Sequence, residues 1–149
     1  MSSSSITQVD VSGAPLRLKL FNRRDAIESA RLGVLTFLQP FSLRPRTIFA
    51  VELVLEETLM NIISYAFQDD AGHEIDLTVQ VEVRDVVLRI EDGGIAFDPL
   101  QVPERTPPAS IDEAVPGGLG IRLVRRFASS VAYERVGNRN ALTVRISRA

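Results

Sequence analysis

The chain has 149 residues, no cysteine and a formal net charge of −2, the size of one ordinary domain whose core can stand without covalent or metal staples. The missing cysteines exclude a disulfide framework, a zinc cluster and a thiol nucleophile, and the mild acidity argues against direct nucleic-acid binding. Arginine far outnumbers lysine, which suits paired and bidentate contacts.

The first ten residues, "MSSSSITQVD", have neither the basic head nor the apolar run of a secretory leader, and no segment is long enough to span a bilayer. The expectation is a cytoplasmic protein without a membrane partner. Its serine-rich residues 1–14 read as a flexible tail ahead of one domain over 15–149. From Leu16 to Phe21, "LRLKLF" alternates as a half-buried strand does. Asn22 is a candidate cap for a helix in which Ile27, Ala30, Val34, Leu35 and Leu38 recur at helical spacing until Pro40. A second helix is predicted from near Pro45 to about Phe67, before the turn-like "QDDAGH".

In "EIDLTVQVEV", Ile75, Leu77, Val79, Val81 and Val83 alternate with polar residues, and Val86, Leu88 and Ile90 repeat the pattern after Arg84 and Asp85. The pair reads as an antiparallel hairpin whose turn lacks glycine. Pro99 to Pro116 is proline-rich without apolar periodicity, a long loop of the kind that covers a site or is disordered. "GGLGIRLVRRFASS" reads as a glycine turn entering a helix, followed by strands near 131–136 and 141–147 joined by "GNRN". Hairpins at these intervals predict an α+β, two-layer sandwich: a mixed, mainly antiparallel sheet covered on one face by helices.

Three segments could carry chemistry. At about 100° per residue, Glu57, Asn61 and Ser64 of "EETLMNIISYAF" share a narrow stripe, while Glu52 and Glu56 form another. The helix is apolar over most of its circumference, so periodicity does not say which stripe meets water, and both read equally as solvated faces. A carboxylate and a carboxamide at i and i+4 do project together and could serve a hydrated cation and a reacting hydroxyl. In "RIEDGGIAFDP" a strand ends at Asp92, an acceptor for an amino N–H, and Gly93-Gly94 allows close backbone approach; an ordinary strand-end turn explains it as well. In "PGGLGIRLV", Gly117, Gly118 and Gly120 precede a helix whose N–H groups could face an anion; a plain flexible connection is the alternative.

In order and setting, the three segments resemble the GHKL ATP-binding superfamily, with its Bergerat (histidine-kinase-like ATPase) fold, and within it the anti-sigma-factor serine/threonine kinases of partner-switching systems. Glu57-x-x-x-Asn61 matches the N box, Asp92-x-Gly94 the G1 box and Gly118-x-Gly120 the G2 box, with an ATP lid at about 99–116. The resemblance spans roughly Leu16 to Ile146. It implies that Asn61 holds Mg2+ on ATP, that Glu57 orients or deprotonates the attacking hydroxyl, and that Asp92 accepts from the adenine amino group beside Gly94. The backbone of Gly117, Gly118, Leu119 and Gly120 would cradle phosphate. Arg105 is a lid cation that could reach a γ-phosphate, an inference of ours rather than a motif match; ordinary solvation of the lid explains it equally. Arg31, in "ESAR", is a candidate partner contact that a solvated helix face explains equally.

The implied partners are a small antagonist (anti-anti-sigma) protein, a sigma factor and a second copy of the chain. Sensor histidine kinases share the boxes, but the single histidine, His73, lies in a turn before a strand, where a solvated role is expected. Ser129 stands where relatives often keep an acidic residue, and Gly93 and Ile95 replace commoner polar ones. Two rivals remain open: a non-catalytic ATP-binding adaptor, and a kinase of the same fold that regulates a phosphatase or other response protein without a sigma factor.

Overall fold

The computed structural model describes residues 13–101 and 120–149. These form β1 (Leu16–Phe21), α1 (Arg24–Leu38), α2 (Pro45–Tyr65), β2 (Glu74–Val81), β3 (Asp85–Asp92), α3 (Gly120–Phe127), β4 (Ser130–Val136) and β5 (Arg139–Ser147). Short 3-10 turns lie at Gln39–Phe41 and Pro99–Gln101. The expected tail over 1–14 and lid over 99–116 fall mostly outside the described residues.

The sheet runs β1-β2-β3-β5-β4, and each of its four ladders is antiparallel. The α+β sandwich is therefore as expected. Among the described residues the pairing is wholly antiparallel, the main pattern expected, with short hairpins joining β2 to β3 and β4 to β5. Alternation puts apolar residues in rows across the strands: Leu18, Leu77, Ile90, Leu142 and Tyr133 in one, Leu16, Val79, Leu88, Val144 and Val131 in the next. Val34 and Leu38 of α1, Val51, Val54, Leu55 and Leu59 of α2, and Val124 of α3 close over these rows as one core. Each fully buried aliphatic side chain contributes about 1.5–3 kcal/mol. The opposite face carries ion pairs such as Lys19–Asp76 and Arg139–Asp76; being largely solvated, such pairs add little stability.

One row on the helix-covered side is different. Ile75, Asp92, Asn140 and Arg135 are cross-strand partners there, so the apolar rows give way to polar groups at one end of the sheet. That end positions the site.

Several local expectations change. The N-cap of α1 is Arg23, without a side-chain cap. Asn22 instead extends the β1–β2 ladder, its N donating to His73 O at 3.0 Å and its Oδ1 accepting from His73 N at 2.9 Å. Helix α2 stops at Tyr65 rather than Phe67. The Phe67 ring stacks on His73, centroids 4.1 Å apart, and His73 Nε2 lies 2.6 Å from Asp69 Oδ1. His73 is thus half-buried and engaged, not simply solvated. Val83 is 70% exposed, beyond the end of β2. The glycine-free turn there is tied by Glu82 N to Asp85 O at 2.7 Å and by Arg145 Nη1, 2.8 Å from Glu82. In the β4–β5 turn, Gly137 takes φ +61°, the left-handed conformation that a two-residue hairpin asks of glycine.

Candidate functional site

Helix α2 crosses over β3 and β5, and between them lies a narrow cleft of about 30 Å³. Ile62, Ile90 and Leu142 make an apolar lining, Phe97 and Tyr133 add aromatic rings, and Thr58, Asn61, Asp92 and Asn140 are the polar groups. Phe97 is braced by Tyr65, with ring centroids 5.9 Å apart.

Asn61 is only 4% exposed, and among the described residues its Oδ1 has no hydrogen-bond partner. A buried acceptor left unpaired costs about 1–3 kcal/mol, so this oxygen calls for a partner beyond the described residues. One turn earlier, Glu57 is half-buried. Loss of water around it, followed by repulsion from Glu56, pushes its carboxyl above the ordinary 4.5. Ser64, the third member of the stripe, is exposed. Only the middle of the expected stripe enters the cleft.

Asp92 is 3% exposed at the end of β3. Its Oδ1 accepts from Gly94 N at 2.9 Å and from Asn140 Nδ2 at 3.0 Å, which fixes the plane of the carboxylate. Asn140, 5% exposed, is the centre of this network. Its Nδ2 also donates to Ile95 O at 2.7 Å, and its Oδ1 accepts from Phe97 N at 3.3 Å, from Arg135 Nη1 at 3.1 Å and from the Tyr133 hydroxyl. Arg135 Nη1 also reaches Gly94 O at 2.8 Å. One side chain from β5 thus holds the whole 92–97 segment. Asn140→Ala should cost about 2 kcal/mol, because several buried groups lose their partner together; urea unfolding measures the loss, and faster hydrogen exchange at the Phe97 amide localises it.

At Gly94 the structure adds a packing reason for the missing side chain. A Cβ there would meet Ala66 O at 2.4 Å and Ala66 Cβ at 2.6 Å. The missing side chain makes room for the end of α2, whose Ala66 O also accepts from Ile95 N at 2.9 Å. Gly93 has no such neighbour: its nearest atoms would be at 3.9 and 4.0 Å.

Arg31 lies away from the cleft. Its guanidinium pairs with Glu28 at 2.7 Å and with Glu52 at 2.9 Å, bridging α1 and α2. Gly120 opens α3, and Arg125 on that helix donates to Leu100 O. Gly117, Gly118, Leu119 and Arg105 lie outside the described residues. Ser129, noted for its departure from the usual acidic residue, donates from both N and Oγ to Arg145 O, at 2.8 and 3.1 Å.

Sequence reasoning missed Thr58, Phe97, Tyr133 and Asn140. A signal existed for two of them. Asn140 shares strand parity with the inward Leu142, Val144 and Ile146, and Thr58 lies four residues from both Val54 and Ile62 on the buried stripe of α2.

Comparison with known proteins agrees with this geometry. The family described as histidine kinase-like ATPase domain matches residues 21–146. The serine/threonine-protein kinase BtrW of Bordetella bronchiseptica is 39% identical over 99 residues, 66% of this chain and 70% of that protein. Among solved structures, the RsbU and RsbW domains of a Mycobacterium tuberculosis protein superpose with a TM-score of 0.64 at 13% identity, over 91% of this chain and 32% of that one. The chain therefore spans about a third of that mycobacterial protein's length. The SiaB-SiaC complex of Pseudomonas aeruginosa gives a TM-score of 0.51 at 14% identity, over 99% and 98%. At such identities the solved structures speak for the fold alone. Family match, kinase relative and architecture agree: the chain belongs to the histidine kinase-like ATPase family, in the GHKL or Bergerat-fold superfamily, on its serine/threonine-kinase branch.

Proposed function

We propose that the protein is an ATP- and Mg2+-dependent serine/threonine kinase that acts as an anti-sigma regulatory factor, phosphorylating a small antagonist protein in a partner-switching system. The observation that carries this reading is the Oδ1 of Asn61, without a partner among the described residues and buried in the same cleft as the fixed carboxylate of Asp92. The residues fit the ligand. A carboxamide oxygen is a hard donor of the kind magnesium takes, and magnesium commonly uses few protein ligands alongside phosphate oxygens. Among the described residues, no cluster of three His, Asp or Glu side chains offers a rival metal site. When bound, Mg-ATP supplies the γ-phosphoryl group with much of its charge neutralised.

The chain's own residues do the rest. Asp92, held by Gly94 N and Asn140, accepts the adenine amino N–H. Glu57 orients the protein hydroxyl and takes its proton, a task its raised carboxyl suits. Gly117, Gly118, Leu119 and Gly120 give backbone N–H groups to phosphate, with Arg105 as a further cation. Arg31, ion-paired with Glu28 and Glu52, is the partner contact on the α1–α2 face. A sigma factor and a second copy of the chain complete the proposed assembly. The 39% identical kinase supports transfer to a protein hydroxyl; the partners rest on the resemblance of the boxes.

The test is calorimetry with ATP and Mg2+. Asn61→Ala should weaken Mg-ATP binding about 10–100-fold, the worth of a lost bond to a charged group, and should weaken magnesium-free ATP far less. No binding by the unaltered chain, or unchanged affinity in Asn61→Ala, would end this reading.

A further inference from the structure

The start of α2 and the end of α3 share a surface that none of the roles above uses. Phe49 of α2 is 53% exposed, and its ring meets Phe127 of α3 edge to face, with centroids 5.5 Å apart. The Arg46 guanidinium lies over the Phe127 ring, 5.5 Å from its centroid. Arg44 and Arg46 are exposed where α2 begins, and Arg126 is exposed in the last turn of α3. At about 1.5 Å per residue, Phe49 and Asn61 are about 18 Å apart along α2, so this surface is remote from the cleft.

Its charges are uncompensated. Arg31, Arg89, Arg139 and Arg145 each hold a carboxylate, whereas among the described residues Arg44, Arg46 and Arg126 hold none. The first turn of α2 has no acidic residue, so Arg44 and Arg46 stand unrelieved where the helix dipole is itself positive, an unfavourable placement in the isolated chain. A chain of net charge −2 thus gathers free positive charge around an exposed aromatic pair. Arginine beside desolvated aromatic rings is the composition of protein–protein hot spots. A nucleic acid would ask for a basic groove that tracks a phosphate backbone; a few arginines flanking one aromatic edge suit carboxylates on either side of an apolar anchor.

We propose that Phe49, Phe127, Arg44, Arg46 and Arg126 form a docking surface for an acidic segment of a partner protein. An apolar side chain of that segment packs on Phe49 while its carboxylates pair with the arginines. The distance from Asn61 lets partner and cleft ligand be held at once, and the surface stands whether or not the cleft takes a nucleotide.

The probe is a fluorescein-labelled peptide of glutamates interrupted by two phenylalanines, titrated with the full chain and read by fluorescence anisotropy. Three comparison probes are the same peptide with lysine for glutamate, a peptide of glutamates alone, and a single-stranded oligonucleotide of equal charge. The unaltered chain should bind the acidic phenylalanine peptide at least about 5-fold tighter than any of the three, and more weakly as salt rises from about 50 to about 300 mM. Arg46→Glu should weaken it about 10-fold or more, since a charge pair becomes a repulsion, and Phe49→Ala about 5-fold. Both positions are exposed, so each variant should melt within about 3 °C of the unaltered chain and keep its Mg-ATP affinity within about twofold. No binding of the acidic phenylalanine peptide by the unaltered chain overturns the proposal, as does binding that both variants retain. Tighter binding of the oligonucleotide overturns it in favour of a nucleic acid. A dimer in sedimentation that Phe49→Ala dissociates, with no peptide bound, overturns it in favour of a second copy. Peptide binding by an unaltered chain that ignores Mg-ATP would leave the docking surface standing and end only the nucleotide reading.

Discussion

Glu57→Gln is expected to lower phosphoryl transfer to the antagonist by about 10²–10⁴-fold while Mg-ATP affinity stays within about twofold. The separation follows from position. Asn61 and Asp92 line the cleft and Glu57 does not, so its removal takes away a base without removing a wall. Desolvation and the neighbouring Glu56 raise its carboxyl above 4.5, so the pH–rate profile should lose activity as pH falls through a midpoint above that value. Stability has the opposite slope. A carboxyl whose folded value is raised binds more protons folded than unfolded, so its stabilising contribution is complete below 4.5 and is lost as pH rises through the folded value. The glutamine variant, neutral at every pH, should therefore be at least as stable as the unaltered chain at pH 7. Radiolabel transfer, calorimetry and urea unfolding read the three quantities. Full transfer by Glu57→Gln would place proton removal elsewhere, and an unaltered chain that binds ATP without transferring phosphate would favour the adaptor.

Gly94→Ala is expected to destabilise the fold by about 2–4 kcal/mol, at or above the usual range for overpacking because the opposing atoms are backbone. The new Cβ would sit 2.4 Å from Ala66 O and 2.8 Å from Ala66 C, which cannot swing aside as a side-chain tip does. Relief requires moving the end of α2 or the 92–97 segment. Either movement strains the bond from Ile95 N to Ala66 O and the bond from Gly94 N to Asp92, so nucleotide affinity should fall with stability. Gly93→Ala is the control, since the atoms nearest its new Cβ lie at 3.9 and 4.0 Å and its φ is not positive. Its cost should stay within about 0.5 kcal/mol. Equal melting temperatures for the two variants would show that the contact with Ala66 is not what demands glycine at 94.

Much of the architecture was legible because it depends on periodicity. Alternation over Ile75, Leu77, Val79 and Val81 can bury only one face of β2, and the same parity through Val86, Leu88 and Ile90 sets β3 beside it. The stops were less legible. Phe67 belonged to the apolar pattern of α2, but its ring stacks on His73, a contact between the helix end and the approach to β2 that no local pattern encodes. Asn22 looked like a cap because caps are local, whereas its partner His73 lies 51 positions away.

Chain order alone determined the strand and helix identities, the antiparallel hairpins, and the spacing that puts Glu57 and Asn61 one turn apart. Those properties follow from backbone repeats of two and 3.6 residues, which each segment carries within itself. Tertiary structure decided which arc of α2 faces the cleft, since a helix apolar around most of its circumference is oriented only by what it packs against, here β3 and β5. It also decided that Asn140 holds Asp92 across 48 positions of chain and that Ala66 claims the space at Gly94. Strand register and the path of a helix end are set by the whole core at once, and so these contacts exist only when the sheet and its helices have closed together.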